Sequence, residues 1–95
     1  MSKYAKRVDG NQRDIVKALM AIGCTVADTS RAGQGFPDLV VGYRGKNYLI
    51  ECKNDNMPPS KQKLKETQVR FHESWSGQIA VVNTPEQAVA VVTNK

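Results

Sequence analysis

Apolar residues recur along the chain at two spacings, one typical of helices and one typical of strands. A first helix over about residues 10–22 is predicted by apolar residues at helical intervals, namely Ile15, Ala18, Leu19 and Ile22. Asp9 stands three residues before Gln12, which is the spacing of a capping box and makes Asp9 the predicted N-cap. Gly23 is suited to end this helix, because glycine accepts the left-handed backbone found at helix C-termini.

The centre of the chain has the pattern of a β-hairpin. Two apolar runs, residues 39–41 and 48–50, are joined by the short link Arg-Gly-Lys-Asn at residues 44–47. Successive side chains of a strand point to opposite faces, and both faces of the second run are apolar. A strand of this composition is predicted to be covered on both sides.

The flanking segments predict further strands and a second helix. Residues 25–28 and 78–82 have the composition of short strands. A helix over about residues 65–75, ended by Gly77, is predicted by an apolar stripe that consists of Leu64, Phe71 and Trp75.

The last helix is predicted from its start signal. Thr84 is placed as N-cap and Pro85 as the first helical residue, so a helix is expected over about residues 85–92. The β-forming composition of residues 88–92 opposes this prediction. The complete order is α-β-β-β-α-β-α, which predicts an α/β domain whose mixed sheet is flanked by helices on both faces.

Composition and charge limit the classes of function. The 95 residues predict a single domain over 1–95, and the net charge of +5 favours an anionic partner, with nucleic acid first, although such charge also serves solubility. Residues 1–8 are basic and are expected to form a flexible arm. No apolar run is long enough for a membrane span or a signal core, so we expect a cytoplasmic protein without a membrane partner. Cys24 and Cys52 are expected to be free thiols, no zinc-site spacing is present, and no small-molecule cofactor is expected.

Charged residues stand at the ends of the hairpin strands. Asp38 precedes the first strand, and Glu51 and Lys53 end the second on one face. Antiparallel pairing would bring the two carboxylates together, and a divalent cation between them would remove their repulsion. With Lys53 aimed at the same point, these residues predict a phosphodiester-cleaving site. Alternatively, Pro-Asp is a turn dipeptide and Glu-x-Lys a surface ion pair of little energetic value.

Two further segments carry candidate functional residues. Gln68 falls on the inward face of the second helix, where it either bonds backbone at the edge of the core or supports the carboxylates. The loop over residues 29–35 contains Ser30, Arg31 and two glycines, which would suit contact with a phosphate backbone. Its spacing matches no P-loop, so the simplest interpretation is a flexible connection. His72 is expected to be structural.

These motifs resemble the PD-(D/E)XK nuclease superfamily. The resemblance rests on Gly-Phe-Pro-Asp at residues 35–38, Ile-Glu-Cys-Lys at residues 50–53 and Gln68. It covers nearly the whole chain, which looks most like the compact VRR-Nuc (virus-type replication-repair nuclease) domains and is similar to archaeal Holliday-junction resolvases. The resemblance implies a restriction-endonuclease-like core and products that carry a 5′-phosphate and a 3′-hydroxyl.

Site roles follow from the same resemblance. It implies that Mg²⁺ or Mn²⁺ is bound by Asp38, Glu51 and the backbone carbonyl of Cys52, that Lys53 orients or deprotonates the attacking water, and that Gln68 supports the site. The family usually has an acidic residue in the first turn of helix one, where this sequence aligns Gln12. Either Gln12 acts as a neutral ligand or Asp9 reaches in. A site one carboxylate short would bind metal more weakly.

The expected function is a metal-dependent DNA endonuclease, selective for junction, flap or otherwise branched DNA, of phage type and active in replication or repair. Symmetric cutting of a junction needs two sites, so a homodimer is expected. The residues expected to contact DNA phosphates are Ser30, Arg31, Lys61, Lys63, Lys65 and Arg70. The alternatives are a non-catalytic nucleic-acid-binding module that retains the nuclease fold, and a basic structural subunit.

Overall fold

The computed structural model describes residues 9–54 and 64–94. The predicted element order is confirmed: α1 (Asp9–Ala21), β1 (Thr25–Asp28), β2 (Leu39–Tyr43), β3 (Lys46–Cys52), α2 (Glu66–Ser74), β4 (Ile79–Val82) and α3 (Pro85–Thr93). The predicted basic arm, Lys61 and Lys63 lie outside the described residues. Within residues 9–54 and 64–94, no helix is both long enough and apolar enough to cross a membrane.

The strands form one mixed sheet in the order β1-β2-β3-β4. Strands β1, β2 and β3 are antiparallel neighbours, with Asp28 opposite Leu39 and Leu39 opposite Ile50. Strand β4 runs parallel to β3, with Val81 beside Glu51. Strand β4 can be parallel because the chain returns through α2, since a parallel neighbour requires a crossover connection.

Helices α1 and α3 pack on one face of the sheet and form the main core with it. Ile15 and Leu19 contribute from α1, and Ala88 and Val92 from α3; in each pair the spacing of four residues places both side chains on one helix face. They meet buried side chains of the sheet, which are Leu39, Val41, Tyr48, Ile50 and Val82. This burial explains why the β-forming residues 88–92 are helical.

Local signals set the start of α3 and the end of α1 as predicted, whereas Asp9, the predicted N-cap, is already the first residue of α1. The Oγ1 atom of Thr84 accepts a 3.1 Å hydrogen bond from the Gln87 N–H, and Pro85 occupies the first turn of α3. Helix α1 ends at Ala21, and Gly23 follows with a φ of +99°, in the left-handed region.

The β2–β3 connection is tighter than the sequence pattern predicts. Strand β3 already begins at Lys46, so Arg44 and Gly45 alone form the turn. Both have positive φ, +52° and +82°, as a type I′ turn requires. The predicted four-residue link was wrong because Arg44 adopts a left-handed backbone, which its residue type does not indicate.

Helix α2 lies over the other face of the sheet, the face that carries Glu51. An aromatic contact links it to the loop before Asp38: Phe71 meets Phe36 edge to face at 5.2 Å between ring centroids. Phe71 also stacks at 5.3 Å on Trp75, which directly follows α2. A Cβ atom on Gly35 would overlap the Thr67 carbonyl oxygen. The loop before Asp38 is therefore packed directly against the backbone of α2.

Candidate active site

Asp38 and Glu51 face each other across the antiparallel pair β2–β3. Leu39 pairs with Ile50, so continuing the register by one residue places Asp38 opposite Glu51. Side chains at directly opposed positions of an antiparallel pair lie close together. The sequence-based prediction that the two carboxyl groups meet agrees with this register.

The Asp38 carboxylate is fixed by the backbone of β3. Its Oδ2 atom accepts a 2.9 Å hydrogen bond from the Cys52 N–H. Two residues beyond the Leu39–Ile50 pair, the register places Pro37 opposite Cys52. Proline has no N–H, so Pro37 cannot donate to the Cys52 carbonyl as a strand partner would. Pro37 thus leaves the Cys52 carbonyl without a donor from β2, next to the Asp38 carboxylate that the Cys52 N–H holds.

Glu51 is a buried carboxylate with one satisfied oxygen. Its side chain is 3% exposed, and Oε2 accepts a 2.7 Å hydrogen bond from Gln68 Nε2 and lies 3.5 Å from Lys53 Nζ. Within the described residues, Oε1 has no hydrogen-bond partner. A buried carboxylate oxygen without a partner is costly, so this atom indicates a missing ligand.

Burial shifts both carboxyl groups toward the protonated form. Burial raises the pKa of Glu51, and the neighbouring Asp38 charge raises it further, to about 7. The pKa of Asp38 is also raised, mainly by burial, against the lowering effects of the Cys52 N–H and of Lys53. The site therefore accommodates positive charge readily at neutral pH.

Lys53 follows β3 and supplies the positive charge of the site. Its side chain is 12% exposed, and Nζ lies 3.5 Å from both Glu51 Oε2 and Gln68 Oε1. Its backbone N–H continues the ladder to Val82 at 2.8 Å. The ladder and the two contacts hold the ammonium group beside the carboxylates.

Gln68 connects α2 to the site, and both interpretations offered by the sequence apply to its contacts. Its Oε1 atom accepts a 2.8 Å hydrogen bond from the Lys65 N–H at the start of the helix. Its Nε2 atom donates to Glu51. Gln68 is therefore a backbone cap and a carboxylate partner at once.

Asn11 is a contributor that the sequence pattern missed. Its Nδ2 atom donates to the Lys53 carbonyl at 2.6 Å and to the Asn83 carbonyl at 3.2 Å, joining the first turn of α1 to the ends of β3 and β4. The available signal was its position four residues before Ile15, on the inward face of α1.

The extra ligand expected from the first turn of α1 stays a prediction. Gln12 is half-buried, and among the described residues it makes no hydrogen bond to Asp38, Glu51, Lys53 or Gln68. The side chain of Asp9 lies outside the described part of the chain.

The donor set fits a hard divalent cation. Two carboxylates, an unsatisfied buried carboxylate oxygen and a backbone carbonyl without a strand donor are the oxygen ligands that Mg²⁺ and Mn²⁺ prefer. In the described ranges, no group of three or more His, Cys, Asp or Glu side chains is arranged to hold a metal ion, so a third side-chain ligand of this kind is not supplied there. Val81, beside Glu51, is 43% exposed, so the site opens toward solvent on the β4 side.

Thiol and imidazole chemistry is disfavoured here. Burial raises the pKa of the Cys52 thiol to about 12, and the side chain belongs to the opposite face of β3. Burial also lowers the pKa of His72, whose Nε2 atom has no partner within the described residues. Both cysteines are free.

Those predicted DNA contacts that the structure describes are exposed, and they differ in whether their side chains are already paired. Ser30 donates its backbone N–H and its hydroxyl to Asp28, at 2.9 and 2.6 Å. Arg70 is exposed but paired with Glu66 at 2.6 Å. Arg31 and Lys65 are exposed.

The fold resembles that of a domain of known structure. A solved structure described as a VRR_NUC domain superimposes with a TM-score of 0.69 at 26% sequence identity, over 94% of this chain and 97% of that one. We therefore assign the chain as a VRR-Nuc domain. No protein-family model matches this VRR-Nuc sequence, and no curated protein matches it significantly. The assignment thus depends on three-dimensional similarity together with the residues described above.

Proposed function

We propose that this VRR-Nuc domain is a Mg²⁺- or Mn²⁺-dependent endodeoxyribonuclease that hydrolyses phosphodiester bonds. The observation that carries the proposal is the opposed Asp38–Glu51 pair, in which Glu51 is buried and its Oε1 atom has no partner among the described residues. A purely structural role would not require two opposed carboxylates, because the charge of Asp38 raises the pKa of the buried Glu51.

Each residue of the site has a distinct task in this reaction. Asp38, Glu51 and the Cys52 carbonyl hold the cation, which when bound neutralises developing charge and makes a water molecule more acidic. Lys53 Nζ, beside Glu51, orients the attacking water and stabilises charge on the scissile phosphate. Gln68 keeps Glu51 in place through its 2.7 Å hydrogen bond.

Gln12 or Asp9 completes the ligand set in this proposal. Separate Gln12→Ala and Asp9→Asn variants distinguish the two residues, because only loss of the true ligand weakens Mn²⁺ binding measured by calorimetry. If neither variant weakens binding, two carboxylates and the carbonyl suffice.

The proposed substrate is branched DNA, recognised through its backbone. The net charge of +5 favours a polyanion, and exposed Arg31 and Lys65 supply phosphate contacts on the described surface. Lys61 and Lys63 are proposed contacts outside the described residues. Junction cutting by a homodimer in phage-type replication or repair, within the cytoplasm, completes the proposal by analogy with archaeal resolvases.

A non-catalytic DNA-binding module is the second candidate. It is favoured by one observation: Gln12, in the first turn of α1, is an amide where the family usually has an acid. Such a domain would bind DNA without cutting it under any metal.

Replacing Lys53 separates the two candidates. If the domain is a nuclease, the cleavage rate of Lys53→Ala should fall by a factor on the order of a hundred or more. DNA binding and thermal stability should be largely retained. Lys46→Ala, at the exposed start of β3, is the matched control and should cut normally. Wild-type protein that binds DNA but never cuts it would favour the binding module.

A further inference from the structure

One aromatic side chain near the site is held rigidly while much of its surface faces solvent. Trp75 directly follows α2 and is 40% exposed, although its ring stacks on Phe71 at 5.3 Å with an interplanar angle of 15°. Phe71 is in turn supported edge to face by Phe36. One face of the indole is therefore covered by Phe71, and the exposed area belongs to the remaining face and the outer edge.

The backbone also makes room for this ring. A Cβ atom on Gly77 would lie 2.9 Å from Trp75 Nε1, so the indole edge lies close against Gly77. The indole is thus confined from one side and along one edge. A planar ring held in this way can stack on another planar group at little cost in conformational entropy.

The ring lies on the same supports as the proposed catalytic residues. Phe36 is two residues before Asp38, and Phe71 is one helical turn after Gln68. The distance along the helix axis from Gln68 to Trp75 is about 10 Å, from the helical rise per residue. That distance corresponds to about three stacked nucleotides along one strand.

We propose that Trp75 is a stacking platform for an unpaired base next to the cut site. The inference rests on the proposed nuclease function and narrows its substrate class to DNA with a single-stranded segment beside the scissile bond, such as a flap or a gapped branch. Bases within a duplex are already stacked on their neighbours and cannot use the ring. Single-stranded nucleic acids are bound in this way, by a basic surface together with aromatic rings.

The exposed apolar surface has another candidate partner, a protein. Val69 and Val81 are also partly exposed, at 37% and 43%. The stacked geometry of Trp75 and Phe71 and the net charge of +5 favour a nucleobase, since a protein partner would require neither. Burial of Trp75 by a second copy of the chain would assign this surface to a protein instead.

Intrinsic fluorescence gives a direct test because the chain contains one tryptophan. Oligothymidylate and a duplex of equal length are titrated into the wild-type protein in EDTA, with excitation selective for tryptophan. The inference predicts saturable quenching by the single strand and little quenching by the duplex. Equal quenching by both, or none by either, would overturn it.

Variants separate stacking from a structural role. Trp75→Phe keeps an aromatic ring, Trp75→Leu keeps apolar packing on Phe71, and Val69→Ala is the matched surface control. Binding of end-labelled single strand should weaken about tenfold in Trp75→Leu, within the range for loss of base stacking, and stay close to wild type in the other two. Thermal unfolding of each variant confirms that the fold is retained. Equal single-strand binding by Trp75→Leu and wild type would overturn the inference.

The outcomes also separate this inference from the nuclease proposal. If flap and duplex DNA are cleaved at equal rates, and these rates are unchanged in Trp75→Leu, the domain is a nuclease in which Trp75 is not a stacking platform. If single strands quench the Trp75 fluorescence but no DNA is cleaved under any metal, Trp75 is a stacking platform of a non-catalytic module. Self-association that buries Trp75, detected by sedimentation and by loss of its exposure to acrylamide, would assign the surface to a second copy and overturn the base-stacking role.

Discussion

Gln68 Nε2 donates a 2.7 Å hydrogen bond to Glu51 Oε2, and this contact joins the start of α2 to the buried carboxylate of β3. The other end of the same amide accepts the Lys65 N–H at 2.8 Å. The position of Glu51 therefore depends on where the helix begins. A side chain held in this way at both ends fixes the orientation of the carboxylate before any metal arrives.

We expect Gln68→Ala to lower the cleavage rate about 10- to 100-fold at subsaturating Mg²⁺, because Glu51 Oε2 loses its amide donor. The measurement is the initial cleavage rate across a Mg²⁺ titration. Gln78→Ala removes an exposed glutamine whose amide donates to the Asn47 carbonyl, and it serves as control. Equal loss in both variants, or no loss in Gln68→Ala, would remove Gln68 from the site.

The shifted pKa of Glu51 predicts how stability depends on pH without metal. Its pKa in the folded protein, about 7, lies above the ordinary value of 4.5, so the folded state binds this proton more tightly. The stabilising contribution is full below the ordinary value and is lost as the pH rises through about 7. We expect the melting temperature in EDTA to fall between pH 5 and pH 8 by more in wild type than in Glu51→Gln.

Divalent metal should reverse that loss in wild type alone. Mg²⁺ replaces the proton at Glu51, so it should raise the melting temperature at pH 8 in wild type and do so much less in Glu51→Gln. Glu73→Gln, at an exposed position of α2, is the control and should follow wild type. A steeper fall with pH in Glu51→Gln than in wild type would contradict the assigned environment.

Gly35 allows α2 to approach the loop before Asp38. It has a φ of +82°, and an added Cβ would overlap the Thr67 carbonyl oxygen. Gly33 has a φ of +78° with nothing within 4 Å of the same added atom, so it is a matched control for backbone strain. Gly33→Ala should cost about 1–2 kcal/mol in the free energy of unfolding. Gly35→Ala should cost a further 1–3 kcal/mol or so through overpacking.

Urea unfolding measures the difference in stability between Gly35→Ala and Gly33→Ala. Cleavage assays then show whether the same substitution affects the active site. Displacing Thr67 moves the neighbouring Gln68, so the Gly35→Ala protein that remains folded should also cut more slowly than Gly33→Ala. Equal stabilities for the two variants would show that the loop and α2 are not packed as closely as described.

Asn11 should matter for stability and for the position of Lys53. Asn11→Ala leaves the Lys53 and Asn83 carbonyls without this donor, which should cost about 1–3 kcal/mol in the free energy of unfolding. Asp14→Ala, at an exposed position of the same helix, is the control. Unchanged unfolding by urea in Asn11→Ala would show that the side chain does not link α1 to the strand ends.

Much of the fold was predictable because its signals are local. The spacing of apolar residues gave the helices and strands, and the alternation in β3 placed Glu51 opposite the core face. Glycine and proline marked the helix ends at Gly23 and Pro85. Local patterns sufficed for these features because each depends on residues only a few positions apart.

The rest required contacts between residues distant in sequence. Asn11 donates to carbonyls 42 and 72 positions away, and a polar side chain in a first helical turn gives no sign of such partners. The tight turn at Arg44 escaped prediction because arginine seldom adopts a positive φ. The approach of Gly35 to Thr67 likewise depends on how α2 packs, which periodicity does not specify.

The most direct test of a metal-dependent nuclease is cleavage of end-labelled duplex, flap and four-way-junction DNA in Mg²⁺, in Mn²⁺ and in EDTA, with Glu51→Ala assayed in parallel. We predict cutting by wild type with either metal, no cutting in EDTA, and loss of cutting in Glu51→Ala at unchanged DNA binding. Tight binding of these DNAs without cleavage under any metal would contradict the nuclease and support the non-catalytic module.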